Sequence, residues 1–476
     1  MAKRNGTSYD VVAHPADMFL YRDKFSTPRM REIWSERNII AQRLLVEATL
    51  AEAQAELGMI PRAAAAEIKR KATLAHVTPA KYADMYRYKG HDIVALVWCL
   101  AGACAKGHGE FVHWRSTTQD ILWTSTALLF KDTVVLLLEQ LREVEGVMLD
   151  LMARHERTIM VGRTHGQHCP PITVGFYLGI LALAVRRHIE RMTACADRLL
   201  IGKITSAVGT GSSYGPPGLA LRLQQRVCRK LGLAVPPITE SEVTRDRVAE
   251  FGNVCSLVGT TFEKLMSDIT VYQRPEIGEM EEPFRTGEQV GSSTLAHKRN
   301  PFGCEWVQGL ARMVRAHAYA LNELFSNDIR DGVRLAVEYS SVPSIAMMTS
   351  ALLQGATHIL RGLTIRPDRM LRNMDLQRGL AMDEPVMLAL ADHIGRQSAH
   401  DLVYECAMEA YAKERPLKDV LLEHPTVRQH LTPRAIDRLL RPENYLGTAP
   451  HQVRATIAAI RAARRREART AQRPRR

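Results

Sequence analysis

The run from Val134 to Leu151 limits the possible folds more than any other stretch of this chain. Val134, Leu137, Leu141, Val144, Met148 and Leu151 recur at spacings of three and four, one stripe along an α-helix. Leu136, Leu138 and Val147 beside the stripe are apolar too, so the helix is expected to be buried on more than one side, as inside a bundle. Similar long segments cover residues 170–200, 246–275, 304–325 and 343–362, and alternating strand patterns are scarce. The expectation is an all-α fold of three helical domains around a long central helix bundle. Apolar faces this broad need partner subunits to cover them.

Breakers suggest the boundaries. An N-terminal helical domain is expected over residues 1–117, the central bundle over 118–373 and a C-terminal helical domain over 374–460, with turn-rich loops at 209–218 and 282–301. No internal repeat is present. Residues 461–476 hold eight arginines against one glutamate and read as a disordered, solvated tail. That tail carries much of the formal net charge of +13. No aromatic residues interleave with it to stack bases, so a nucleic-acid partner is not the leading expectation. The mildly basic remainder suits an enzyme of anionic small molecules.

Eight cysteines lie scattered without a CxxC pair, which suggests neither a zinc site nor a disulfide framework. Reduced thiols point to the cytoplasm. No uninterrupted apolar run approaches the roughly 18 residues that span a bilayer, and MAKRNGTSYD lacks the apolar core of a secretory signal.

Four polar islands interrupt the helices: GHDIVAL from Gly90, HWRSTTQD from His113, GRTHGQHCPP from Gly162 and GSSTLAHKRNP from Gly291. Each combines histidines or hydroxyls with small residues and is expected at a helix end, where free N–H groups attract carboxylates. A single Ser or Thr at such a place is ordinarily a cap; four islands in one chain favour a shared site. In the last island Ser292 is a poor base at its normal pKa and needs neighbouring donors or a cation. Backbone N–H groups and Lys298 are available for that. His165 is a candidate general acid.

In this order the four islands resemble the signature segments of the fumarase/aspartase superfamily, most closely its adenylosuccinate lyase branch. GSSTLAHKRNP is similar to the superfamily pattern GSSxMPxKxNP. Flanking matches include FSTPRMREIWSERN, SAVGT at 206–210, TRDRVAEF, IGEMEEPF and NMDLQRGL, so the resemblance runs from about residue 24 to about residue 450. It implies a homotetramer with a shared helical core, active sites built from three subunits, and anti elimination from a succinyl group that usually releases fumarate. By matching positions, Ser292 abstracts the Cβ proton and His165 is the general acid. Lys298, Asn300 and loop N–H groups hold the dianionic intermediate. Thr117, Thr118, Thr164 and Ser293 grip carboxylates, and His91 and His113 line the pocket. The resemblance implies neither a metal nor an organic cofactor.

The departures bear on the substrate. Leu295-Ala296 replaces Met-Pro in the signature loop. The branch's RDISHSSVER segment is RDGVRLAVEY here, keeping Arg330, Asp331 and Glu338. The serine and arginine that contact the nucleotide phosphate in that branch are Leu335 and Tyr339, and its Arg-Tyr pair near the N-terminus is Lys24-Phe25. A phosphate dianion needs charge-assisted donors, so the nucleotide half of the site reads as dismantled, with Arg334 as a partial substitute. The leading expectation is a smaller succinate derivative with a nitrogen leaving group, nitrosuccinate cleaved to fumarate and nitrite. The alternatives are adenylosuccinate, a carboxymuconate cycloisomerase-like reaction, and a structural or nucleic-acid-binding relative without catalysis.

Overall fold

The structure, a computed structural model, describes residues 13–238 and 244–471. Its main elements are α1 (Glu36–Glu56), α2 (Asp92–Ala103), α3 (Thr118–Arg154), the hairpin strands β1 (Ile159–Thr164) and β2 (Gln167–Thr173), α4 (Val174–Leu199), α5 (Asp246–Tyr272), α6 (Phe302–Asn322), α7 (Val333–Arg361), α8 (Pro367–Met374), α9 (Asp383–Ile394), α10 (Arg396–Ala412) and α11 (Ala449–Ala471). The fold is all-α, and among the described residues the strands form two short antiparallel pairs.

The stripe that suggested the bundle is buried throughout: Leu137, Leu141, Val144 and Met148 have no exposed surface and Leu151 almost none. By length and composition α3 also qualifies as a membrane span, yet 72% of its most apolar stretch is buried inside the protein, as in a core helix. The helix expected from residue 343 begins earlier, at Val333, and passes through Pro343.

Two compact units are present. The first takes in residues up to 141, 188–260 and 309–354; the second takes in 142–187, 261–308 and 355 onward. Each of the five long helices is divided between them. In the first unit Ile40, Leu44 and Leu50 of α1, Ile93, Leu96 and Leu100 of α2, and Ile121 at the start of α3 share one core. In the second, Val386 and Leu390 of α9 pack with Leu402, Val403 and Cys406 of α10.

One expectation is corrected. The arginine-rich segment is not disordered over its first part: α11 continues to Ala471, while residues 472–476 lie outside the described residues. Its helix is held by charge. Glu467 pairs with Arg186 and with Arg142 at 3.1 Å, and Arg186 Nε donates to the fully buried Glu145 at 2.7 Å.

Candidate active site

In the first unit the sequence builds two adjacent helix starts. His91 caps α2, its Nδ1 accepting from the Val94 N–H at 3.4 Å. That bond leaves the proton of the neutral ring on Nε2, which lies 3.4 Å from Thr118 Oγ1. Asp92 beside it is paired with Arg43 at 3.1 Å, and Arg43 also donates to the Tyr82 hydroxyl at 3.0 Å. His113 takes a left-handed backbone, φ 59°, and its Nδ1 lies 2.7 Å from Oε1 of the buried Glu47. Burial alone draws the His113 pKa down, but the charge and hydrogen bond of Glu47, helped by the charge of Asp120, bring it above the ordinary histidine value.

Thr117 precedes α3, and its N–H donates to Asp120 Oδ2 at 3.1 Å. This is the return bond of a capping box, in which the third helical residue reaches back to the cap. Arg330 lies exposed in the irregular stretch before α7.

In the second unit the third island is not a helix end, as expected, but a β-hairpin. Thr164 pairs with Gln167, so His165 and Gly166 form a two-residue turn with φ of 52° and 77°, the double left-handed signature of a type I′ turn. A histidine held there costs backbone energy, and such strain clusters at functional positions. The hairpin is braced from behind. Arg163 makes a two-pronged pair with the fully buried Glu279, one arm at 2.9 Å, and Asn373 of α8 donates to the same carboxylate at 2.7 Å. Thr164 Oγ1 lies 3.1 Å from Cys169 Sγ, and both Thr164 and His165 are exposed.

The loop from Gly291 to Pro301 is closed at its neck, where Asn300 Nδ2 donates to the Gly291 carbonyl at 2.8 Å. Only glycine fits at 291, because a Cβ there would stand 2.1 Å from the Lys298 carbonyl oxygen. Within the arc, Ser292 Oγ accepts from the N–H groups of Thr294 and Leu295 at 3.3 and 3.1 Å. Two donors on that oxygen favour negative charge there. Ser293 and Lys298 are exposed. The far end is anchored by Gln273, which donates to the Arg299 carbonyl at 3.0 Å, and by Glu281, which pairs with Arg299 at 3.1 Å. Glu282 then accepts from the N–H groups of Gly303 and Cys304, at 3.1 and 2.8 Å, at the start of α6.

A cleft of about 1260 Å³ beside the loop is lined by Lys298, Arg274, Arg366, Arg369 and Arg372 with Glu281, Glu305 and Asp368. Its surplus of cations suits an anionic substrate. Among the described residues no hydrogen bond joins His165 to Ser292 or Lys298. Asn300 spends one amide hydrogen on the loop neck. Sequence reasoning passed over Glu47, Glu279 and Asp120, although the T-x-x-D spacing of 117–120 marks a cap.

Comparison with known proteins agrees with this arrangement. Residues 22–316 match the family model described as Lyase, and residues 379–456 match the one described as Adenylosuccinate lyase C-terminus. The chain is 36% identical to the adenylosuccinate lyase of Methanocaldococcus jannaschii over 452 residues, 94% of this chain and 96% of that one. It is also 36% identical to the N-acetyl-S-(2-succino)cysteine lyase of Dickeya dadantii over 445 residues, 93% of this chain and 97% of that one. Among solved structures, the 3-carboxy-cis,cis-muconate lactonizing enzyme of Pseudomonas putida superposes with a TM-score of 0.85 at 31% identity, covering 92% of this chain and 98% of that one. This chain therefore belongs to the lyase family of the fumarase/aspartase superfamily, in its adenylosuccinate lyase-like branch, and is an enzyme of that type.

Proposed function

We propose that this protein eliminates a nitrogen leaving group from a succinate-type substrate and releases fumarate, and that the leaving group is not a nucleotide. Nitrosuccinate, cleaved to fumarate and nitrite, is the specific candidate. Ser292, as the alkoxide, takes the Cβ proton. Lys298, loop N–H groups and the second amide hydrogen of Asn300 hold the negative charge that collects on the adjacent carboxylate. The electron pair then forms the carbon–carbon double bond as the carbon–nitrogen bond breaks, and nitrite leaves with the bonding pair. Thr117, Thr118, Thr164 and Ser293 hold the two carboxylates. His91 and His113 line the pocket. His165 faces the leaving group, where weakly basic nitrite demands little protonation.

The observation that carries the non-nucleotide reading is the wall around Leu335 and Tyr339. Both line a mostly apolar cavity of about 180 Å³ with Trp34, Trp123, Phe130 and Val342. Two arginines there already share one carboxylate. Arg245 Nε and Arg334 Nη1 donate to the two oxygens of Glu338 at 2.5 and 3.2 Å, and Arg334 is 3% exposed. A phosphate dianion placed there would have to compete with a buried ion pair, a cost of several kcal/mol. Arg334 is thus a poor substitute for the arginine replaced by Tyr339.

A homotetramer belongs to the same proposal. Ile180 of α4, Leu257 of α5 and Tyr319 of α6 are exposed by 57%, 46% and 67% in the single chain, as expected of helix faces that meet partner subunits. Sites shared among subunits would also let His165 of one chain face Ser292 of another.

Adenylosuccinate is the second reading, favoured by full-length similarity to enzymes of that name. The test is fumarate absorbance with purified protein and a panel holding nitrosuccinate, adenylosuccinate, succinyl thioethers and carboxymuconate. Turnover of nitrosuccinate without adenylosuccinate is expected, and the reverse overturns the proposal. Ser292→Ala should lower kcat roughly a thousandfold or more with the assembly unchanged by light scattering; residual activity near wild type would remove Ser292 from the role of base.

A further inference from the structure

Asp120 has no exposed surface, and its carboxylate accepts five hydrogen bonds. Oδ1 accepts from the Thr205 N–H at 2.8 Å. Oδ2 accepts from the Thr117 and Ser206 N–H groups and the Ser116 hydroxyl, each at 3.1 Å, and from the Tyr214 hydroxyl at 2.9 Å. A helix cap needs one such bond and ordinarily stays at the surface. Here three separate stretches of chain converge on one buried charge: the start of α3, the 205–206 turn and Tyr214, itself fully buried. Ser206 sits in the left-handed region at φ 65°, a conformation that persists where surroundings over-determine it. A buried carboxylate without donors would be very costly, so this one dictates where its donors stand.

We propose that Asp120 is a positioning residue of the active site, clamping the Thr117–Thr118 helix start to the 205–206 turn so that both threonines are presented to a substrate carboxylate. The proposal rests on the reading above that these threonines hold substrate. Thr118 follows the clamped Thr117 directly and faces His91 across 3.4 Å. Loosening the clamp therefore loosens the carboxylate grip while Ser292, on its own loop, keeps its chemistry. Binding should suffer more than turnover, since a group that grips ground state and transition state alike acts on KM.

The test uses full-length Asp120→Asn, Tyr214→Phe and Ser116→Ala. Asparagine sets an NH2 group among five donors and is expected to raise KM about 30-fold or more with kcat within about fivefold. Each milder variant removes one donor and is expected to raise KM about three- to tenfold without changing the assembly. Hydrogen exchange should quicken in peptides covering 116–120 and 204–207 and stay unchanged elsewhere. If Asp120→Asn does not fold, the two milder variants decide. Unchanged KM in folded variants, with only a lower melting temperature, overturns the proposal, as does unchanged exchange in those peptides. A wild-type enzyme inactive on every succinyl compound sinks the proposed function instead, and exchange then decides the clamp by itself.

Discussion

His113 is a buried imidazole held against a buried carboxylate, and that pairing has a consequence for stability. Glu47 brings the native pKa above the ordinary value of 6.5 against the opposing pull of burial. The folded state therefore binds the proton more tightly than the unfolded chain does. The stabilisation is fully present below about pH 6.5 and is lost as pH rises through the raised native value. Melting curves across that window should fall for the wild type and flatten in Glu47→Gln; parallel slopes would exclude His113 as the titrating group. Ser292, Lys298 and His165 could be picked out from the sequence because their neighbours in the chain supply the pattern. Glu47 and Asp120 could not, because their partners lie 66 and up to 94 positions away.

At the scale of elements, α11 and the hairpin departed furthest from expectation, each for a physical reason. An arginine run ordinarily repels itself into a solvated coil. Here Glu467, the single acid in the run, reaches Arg186 and Arg142, so the helix is tied to α3 and α4 within the second unit. Arg186→Ala would take both hydrogen bonds from the fully buried Glu145 and leave Arg464, 3.9 Å away, as its remaining cation, a loss of up to about 3–5 kcal/mol, readable by urea denaturation. A loss below about 1 kcal/mol would show that water reaches Glu145. Truncation after Ile460 should lower the melting temperature as well, beyond any effect on nucleic-acid binding. The hairpin was missed because Thr-His-Gly-Gln lacks the Asn-Gly or Asp-Gly pair that signals such turns; only the pairing of β1 with β2 shows that His165 accepts the left-handed position.

For the whole molecule, the lack of any hydrogen bond between His165 and Ser292 among the described residues sets the sharpest expectation. If each site draws these residues from different subunits, a mixture of His165→Ala and Ser292→Ala proteins, dissociated and reassembled together, should recover a fraction of wild-type activity. Neither variant alone should show it. No recovery in reassembled mixed assemblies would mean that each chain completes its own site. The long helices that such a core requires were predictable from periodicity. Their division between two compact units was not, because the segments of each unit are distant in sequence.

The sequence by itself determined the helical architecture, the family and the chemical inventory of the signature loop, since hydrophobic period and motif spacing are local properties of the chain. Tertiary structure alone decided which charges are already committed. Arg334 could be counted as a phosphate ligand until it was found with Arg245 on Glu338, and Asp120 drew no reading until five donors were found on it. A charge is available to a ligand only if no buried partner already holds it, and burial and partnership exist only once distant stretches of chain have met.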